Sequence, residues 1–302
     1  MTIVRWNDRT AARFRYCPPA GEEPGGPTQA ASQADALILP SQWVRETFQF
    51  TPDPAQAAVL DTPARRVLLC CTRQWGKSTV TVLMALYHAF NAPETLTLCV
   101  SPSLRQSRIF LQKAARFLRR AGVPYTRDPR DPLSLLLPNG SALIGLPARE
   151  ANIRGFDNVS FLILDEAAKI PDKVYAAIRP TRAISDGRLW ILSTPAGQSG
   201  FFFREWHDPS AGWARFTVKA TACPRISPDF LAAERRALGE HDFAQEYLCE
   251  FRPSEYQLIP RDLIDQAVLP GETFFGAEDD ALLAGPGPDA EPEAAEREEP
   301  AA

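Results

Sequence analysis

A mostly parallel α/β sheet with helices on both faces is the fold class this 302-residue sequence predicts, and three stretches predict it. Each is an apolar, strand-length run that ends in small or polar residues. Val67–Cys71 leads into Thr72-Arg73-Gln74-Trp75-Gly76-Lys77-Ser78-Thr79, Val159–Leu164 into Asp165-Glu166, and Leu189–Leu192 into Ser193-Thr194-Pro195. Runs that are apolar without strict alternation fit strands buried on both faces, as parallel sheets require. Such sheets receive ligands in the crevice beyond the C-terminal ends of their strands, which is where the polar residues fall.

Composition sets the bounds. At 45% hydrophobic and 23% charged the chain can bury one large core or two smaller ones. Its six cysteines (Cys17, Cys70, Cys71, Cys99, Cys223, Cys249) show no C-x-x-C pair, so they read as reduced core residues. No apolar run reaches the roughly 20 residues of a membrane span and the N-terminus lacks a signal pattern, so a cytoplasmic protein without membrane partners is expected. The net charge of −4 is unevenly placed. Residues Gly271–Ala302 hold ten acidic residues and one basic, which leaves 32 Lys and Arg against 27 Asp and Glu in the body, about +5 against −9 in the tail. A mildly basic body tolerates a nucleic-acid partner.

In chain order, residues 1–36 include the Pro/Gly-rich stretch Cys17–Pro27, too poor in apolar surface to offset ordering entropy, and read as a flexible lead. A helix is expected over Ser41–Phe48 with Ser41 as N-cap, and a short helix from Pro54 through Leu60. Gln56 and Phe50 stand where an adenine edge and face are often read, while a capping turn with a surface Gln fits them equally. Next come a helix through Val80–Tyr87, a strand at Thr95–Val100 and a long helix from Leu104 to Arg120. That helix turns Ile109, Phe110, Leu111, Ala114, Phe117 and Leu118 inward; Arg105, Arg108, Lys113, Arg116, Arg119 and Arg120 form an outer face suited to solvent or to phosphates. Pro138-Asn139-Gly140 signals a hairpin between Leu133–Leu137 and Ser141–Leu146. A helix from Pro171 to Ile178 precedes Arg179, Arg182 and Arg188, any of which would face phosphate or DNA. The divisions expected are residues 1–36 as lead, 37–200 as core, 201–268 as a small helical and extended subdomain, and 269–302 as an acidic, disordered tail.

The chemistry sits at the strand ends. A strand, a tight loop ending Gly76-Lys77-Ser78 and a helix make a phosphate cradle: backbone N–H groups wrap the oxygens, the helix N-terminus favours anions, Lys77 neutralises charge and Ser78 ligates Mg²⁺. The usual pattern opens with Gly, and Cys71 holds that place. With Cys71, Thr72, Gln74, Trp75 and Thr79 the loop is the expected ATP contact. Asp165 would hold Mg²⁺ and Glu166 would polarise the attacking water, while Ser193 and Thr194 would sense the γ-phosphate and couple hydrolysis to movement. The pair of motifs, about 90 residues apart, predicts a P-loop ATPase.

These motifs, in this order, carry a family likeness over residues 48–268: Gln56, the deviant loop Arg73–Ser78, Ser101-Pro102-Ser103 with Gln106, Arg154-Gly155, Leu164–Ala167, Ser193-Thr194-Pro195, Phe216-Thr217-Val218, Ile226–Phe230 and Phe243–Phe251. The sequence resembles the ATPase half of the large terminase subunit of tailed bacteriophages and prophages. That resemblance implies a motor that drives double-stranded DNA into a procapsid, with portal and small terminase subunit as partners and a homo-oligomeric ring as its working form. It implies that Arg73 stabilises phosphate charge, in cis or from a neighbour. Members continue into a two-metal nuclease domain; here the C-terminal acids lack strand periodicity, so no DNA cleavage is expected from this chain. A helicase-like ATPase and a prophage remnant or binding subunit without packaging activity are the alternatives.

Overall fold

The computed structural model describes residues 38–149, 155–253 and, alone, Ala267. The expected lead, Cys17, Arg154, the acidic tail and the stretch 254–268 apart from Ala267 lie outside the described residues. The chain divides into two units, Met1–Ser254 and Glu255–Ala302; Ala267, in helical backbone, is what is described of the second, and the rest concerns the first.

In order the elements are α1 (Pro40–Phe48), α2 (Pro54–Leu60), β1 (Arg66–Cys71), α3 (Lys77–Asn91), β2 (Leu96–Ser101), α4 (Leu104–Arg120), β3 (Thr126–Asp128), β4 (Asp131–Leu136), β5 (Ala142–Pro147), β6 (Phe161–Asp165), α5 (Asp172–Ile178), β7 (Arg188–Ser193), α6 (Gly200–His207), β8 (Ala214–Val218) and α7 (Pro228–Leu248). They build one sheet in the order β3-β4-β5-β2-β6-β7-β1-β8. Six neighbouring strands, β5 to β8 in that order, are parallel, and β4 and β3 extend the β5 edge antiparallel. The expected hairpin is the β4–β5 pair, with Gly140 in the left-handed region at its turn. β8 comes from beyond residue 200, and so the central sheet takes in part of the stretch read above as a following subdomain.

Side-chain alternation along the strands sorts the core into two layers. Val67, Leu69, Cys71, Cys99, Phe161, Ile163, Trp190 and Leu192 pack under α1 to α4. Leu68, Cys70, Leu98, Val100, Leu162, Leu164, Leu189 and Ile191 pack under α5 and α6. Fully burying one such side chain contributes about 1.5–3 kcal/mol, so burial on both faces holds these short strands more firmly than propensity does. Cys70, Cys71, Cys99, Cys223 and Cys249 are free and buried, as core residues would be.

Three local expectations are corrected. Ser41 is not the cap of α1: Leu39 occupies that position, Pro40 opens the helix, and Ser41 instead donates through its backbone N (2.8 Å) and its hydroxyl (2.6 Å) to Asp61. Ile109 on α4 is exposed rather than inward, at 41%. Lys113 is not on the outer face, because its long stem carries the ammonium round to the rim of the main pocket.

Candidate nucleotide site

The C-terminal ends of parallel β1, β6 and β7 point to one edge of the sheet, and a pocket of about 660 Å³ opens there. β1 ends at Cys71, buried and still in strand conformation; positive φ falls instead on Gln74 (63°) and Gly76 (102°). The loop therefore turns without a glycine at its first position. Gly76 leads directly into α3, whose free N–H groups and dipole face the pocket. Lys77 is buried, and its ammonium donates to the carbonyls of Cys71 (2.7 Å) and Thr72 (3.1 Å). Cys71 and Thr72 thus meet the site through backbone oxygens, while Arg73, Gln74, Trp75, Gly76, Lys77, Ser78 and Thr79 line it. Burial pushes the Cys71 thiol up to about 12, which favours the neutral thiol of a core residue.

Asp165 ends β6 and sits opposite Ser78, whose hydroxyl donates to its Oδ2 at 3.3 Å. The other oxygen, Oδ1, is buried with no hydrogen-bond partner. Burial, with the neighbouring Glu166 charge, raises the Asp165 carboxyl from 3.8 to about 6, against the pull of Lys77, the Ser78 hydrogen bond and Lys113. An orphaned carboxylate oxygen beside a serine hydroxyl fits a Mg²⁺ ion that takes its remaining ligands from phosphate and water. Glu166 follows in the left-handed region (φ 55°), a strained position for a residue with a Cβ, and its side chain lines the pocket. Two residues on, the Ala168 N–H donates to the Ser193 hydroxyl at the end of β7 (3.2 Å). Ser193 and Thr194 are buried beside the pocket rather than in its lining.

Phe50, Thr51, Gln56 and Arg225 also line the pocket. The capping turn expected for Gln56 is present, since it closes a capping box with Asp53 at the start of α2, but Gln56 is buried rather than a surface residue and its Nε2 donates to the Trp75 carbonyl at 3.0 Å.

The C-terminal end of α7 ties this edge together. Arg73 makes a two-pronged ion pair with Glu246 (2.5 and 2.9 Å), and the Thr72 hydroxyl donates to the Glu246 carbonyl at 3.3 Å. One residue earlier, Gln245 accepts from the Gly197 N–H at 2.9 Å, in the loop that follows Ser193 and Thr194. Arg179, Arg182 and Arg188, expected to face phosphate or DNA, do not line the pocket. Arg179 lies over the Tyr175 ring, and Arg182 donates to the Gly187 carbonyl. Arg188 begins β7, at the opposite end of the strand from Ser193.

Three residues of the site have no role there on sequence grounds: Arg225, Lys113 and Glu246. For Lys113, spacing on α4 gives the signal of an outer cation; for the other two, the partners are more than 140 residues away in sequence and only folding brings them together.

The profile of the family described as "Terminase large subunit, T4likevirus-type, N-terminal" matches residues 69–266. The large terminase subunit of Thermus phage G20c is 28% identical over 254 residues, covering 71% of this chain and 51% of that protein. The chain thus spans about half the length of the curated relatives it matches. Among solved structures, the large terminase ATPase domain of Thermus phage P74-26 superposes with a TM-score of 0.62 at 26% identity, over 71% of this chain and 99% of that one. The large terminase of another thermophilic bacteriophage, in complex with ADP, shares the fold at 16% identity, with a TM-score of 0.60 over 69% of this chain and 56% of that one.

Proposed function

The chain belongs to this large-terminase family, and from that premise we propose that it is the ATPase of a DNA-packaging motor, hydrolysing ATP with Mg²⁺ to move double-stranded DNA into a procapsid. The observation that carries the reading is the convergence of Lys77, Ser78, Asp165 and Glu166 on one edge of the sheet, with Asp165 Oδ1 left unpartnered beside the Ser78 hydroxyl.

In this reading the triphosphate lies against the α3 N-terminus and takes over the Lys77 ammonium from the Cys71 and Thr72 carbonyls. Ser78 and Asp165 would hold Mg²⁺, which when bound supplies charge neutralisation to the phosphates. Glu166 orients the attacking water and accepts its proton. Arg73 stabilises phosphate charge, which requires it to leave Glu246, since one guanidinium fork cannot serve both. Ser193 and Thr194 act in coupling through the Ala168 tether and the Gly197–Gln245 bond, which connect the loop after Glu166 and the loop after β7 to α7. The portal, the small terminase subunit and a ring of identical subunits in the host cytoplasm complete the proposal; no helix among the described residues is long and apolar enough to cross a membrane. This polypeptide is proposed not to cut DNA itself, and metal-dependent nicking of plasmid by the purified chain overturns that clause.

Steady-state ATP hydrolysis with Mg²⁺ tests the central claim. Lys77→Ala and Glu166→Gln are each expected to lower kcat by about 100-fold or more. Turnover by Glu166→Gln near the unsubstituted rate would remove that carboxylate from the mechanism.

A further inference from the structure

We infer that Arg225 is a specificity contact for the nucleoside part of the bound nucleotide; the inference rests on the ATP reading above and deepens it. The pocket has two ends. Lys77, Ser78 and Glu166 crowd one, where α3 begins, and this end suits phosphate. Phe50, Thr51, Gln56 and Arg225 form the other, with Gln56 and Arg225 both meeting the Trp75 carbonyl.

Arg225 is fixed there by both of its terminal nitrogens. Nη1 pairs with Asp53 Oδ2 at 3.0 Å and Nη2 donates to the Trp75 carbonyl at 2.5 Å, the carbonyl that also receives Gln56 Nε2. Asp53 is itself held by its capping bond from the Gln56 N–H at 2.8 Å. The guanidinium charge is thus already matched by a carboxylate that is only 15% exposed, whereas the Arg225 side chain keeps 46% of its surface open. A planar cation whose terminal nitrogens are already paired and whose side chain is about half exposed offers little to a phosphate that the Asp53 charge would repel. It offers a flat surface to a base, for which guanidinium planes and aromatic rings are the usual stacking partners. Phe50 supplies such a ring at the same end. The segment carrying Arg225 lies between β8 and α7, so base recognition would draw the chain after the sheet onto the helix before it.

The test compares ATP with inorganic tripolyphosphate, which has the phosphates and no nucleoside, using the full chain with Mg²⁺. For Arg225→Ala, KM for ATP is expected to rise about tenfold and kcat to fall less than about threefold, while the inhibition constant of tripolyphosphate moves less than about twofold. Arg225→Lys, which keeps charge but loses the plane, is expected to follow Ala rather than the unsubstituted protein. It also carries the test if the Ala variant does not fold. A purely structural role would shift melting temperature without separating the two ligands, and that result overturns the inference. So do a parallel loss of tripolyphosphate binding, which would make Arg225 a phosphate ligand, and rescue by Lys. Failure of the unsubstituted chain to bind or hydrolyse ATP is seen before any variant is made and removes the nucleotide reading itself.

Discussion

The two ends of the pocket are built on different plans. The phosphate end takes its groups from short stretches at neighbouring strand ends, and each group arrives with its backbone: Lys77 and Ser78 on the first turn of α3, Asp165 as the last residue of β6, Glu166 one step beyond. The nucleoside end takes its groups from segments 172 residues apart, Asp53 and Arg225, joined by side-chain bonds. Burial separates their central charged groups, with Lys77 and Asp165 at 7% and 6% exposed while Arg225 is half open. Rigid, desolvated groups act on charge that develops during reaction, and half-open, hydrogen-bonded ones act on ground-state binding. Substitutions at the first end should therefore appear in kcat and those at the second in KM.

The sharpest way to break that contrast is Asp165→Asn. Turnover should fall by about 100-fold or more, as removal of a metal-binding carboxylate does. Stability of the nucleotide- and metal-free protein should move the other way. Its carboxyl is raised to about 6 from 3.8, so the native state holds a proton that the unfolded chain releases, and folding loses stability as pH rises through that window. Above pH 6 the penalty is fully present, on the order of 3 kcal/mol by the usual conversion, and Asn does not carry it. Thermal melts at pH 7.5 should place Asp165→Asn several degrees above the unsubstituted chain, with the gap closing as pH is lowered below 6. A variant that is both inactive and less stable would mean that Asp165 serves the fold first.

Glu246→Gln tests the seam between the two ends at a smaller scale. If Arg73 must leave Glu246 to reach phosphate, weakening the pair should lower KM for ATP by about two- to fivefold with little change in melting temperature, since Arg73 is largely solvent-exposed. An unchanged KM with a lower melting temperature would mark the pair as a brace between the loop and α7.

Legibility in the sequence follows the same division. The sheet, its strand ends and the phosphate end are readable because each depends on local pattern: apolar runs of strand length, Gly-Lys-Ser before a helix, Asp-Glu after a strand. Cys71 in the place of the usual glycine departs from the pattern without harming the loop, because that residue keeps strand backbone and the positive φ falls on Gln74 and Gly76. What pattern cannot supply is pairing at long range. Glu246 sits in a helical stretch that gives it no partner, and helical spacing puts Lys113 on the outer face although a four-carbon stem lets its ammonium reach the pocket. Arg225 lies in a segment with no periodicity at all.

The finest test of the nucleoside end lies at Asp53, where one side chain does two jobs that substitution can separate. Its Oδ1 caps α2 by accepting from the Gln56 N–H, and its Oδ2 pairs with Arg225. Asparagine caps a helix about as well as aspartate but carries no charge, so Asp53→Asn should keep stability within about 0.5 kcal/mol. It should still raise KM for ATP by about two- to threefold, because Arg225 loses the partner that orients it. Alanine removes both functions, and Asp53→Ala should add a loss of about 1 kcal/mol in denaturant unfolding to the same change in KM. If Asp53→Asn changes neither stability nor KM and Asp53→Ala lowers stability alone, Asp53 acts only as the cap of α2, and the nucleoside end would have to be held by Phe50 and Gln56 without an oriented arginine.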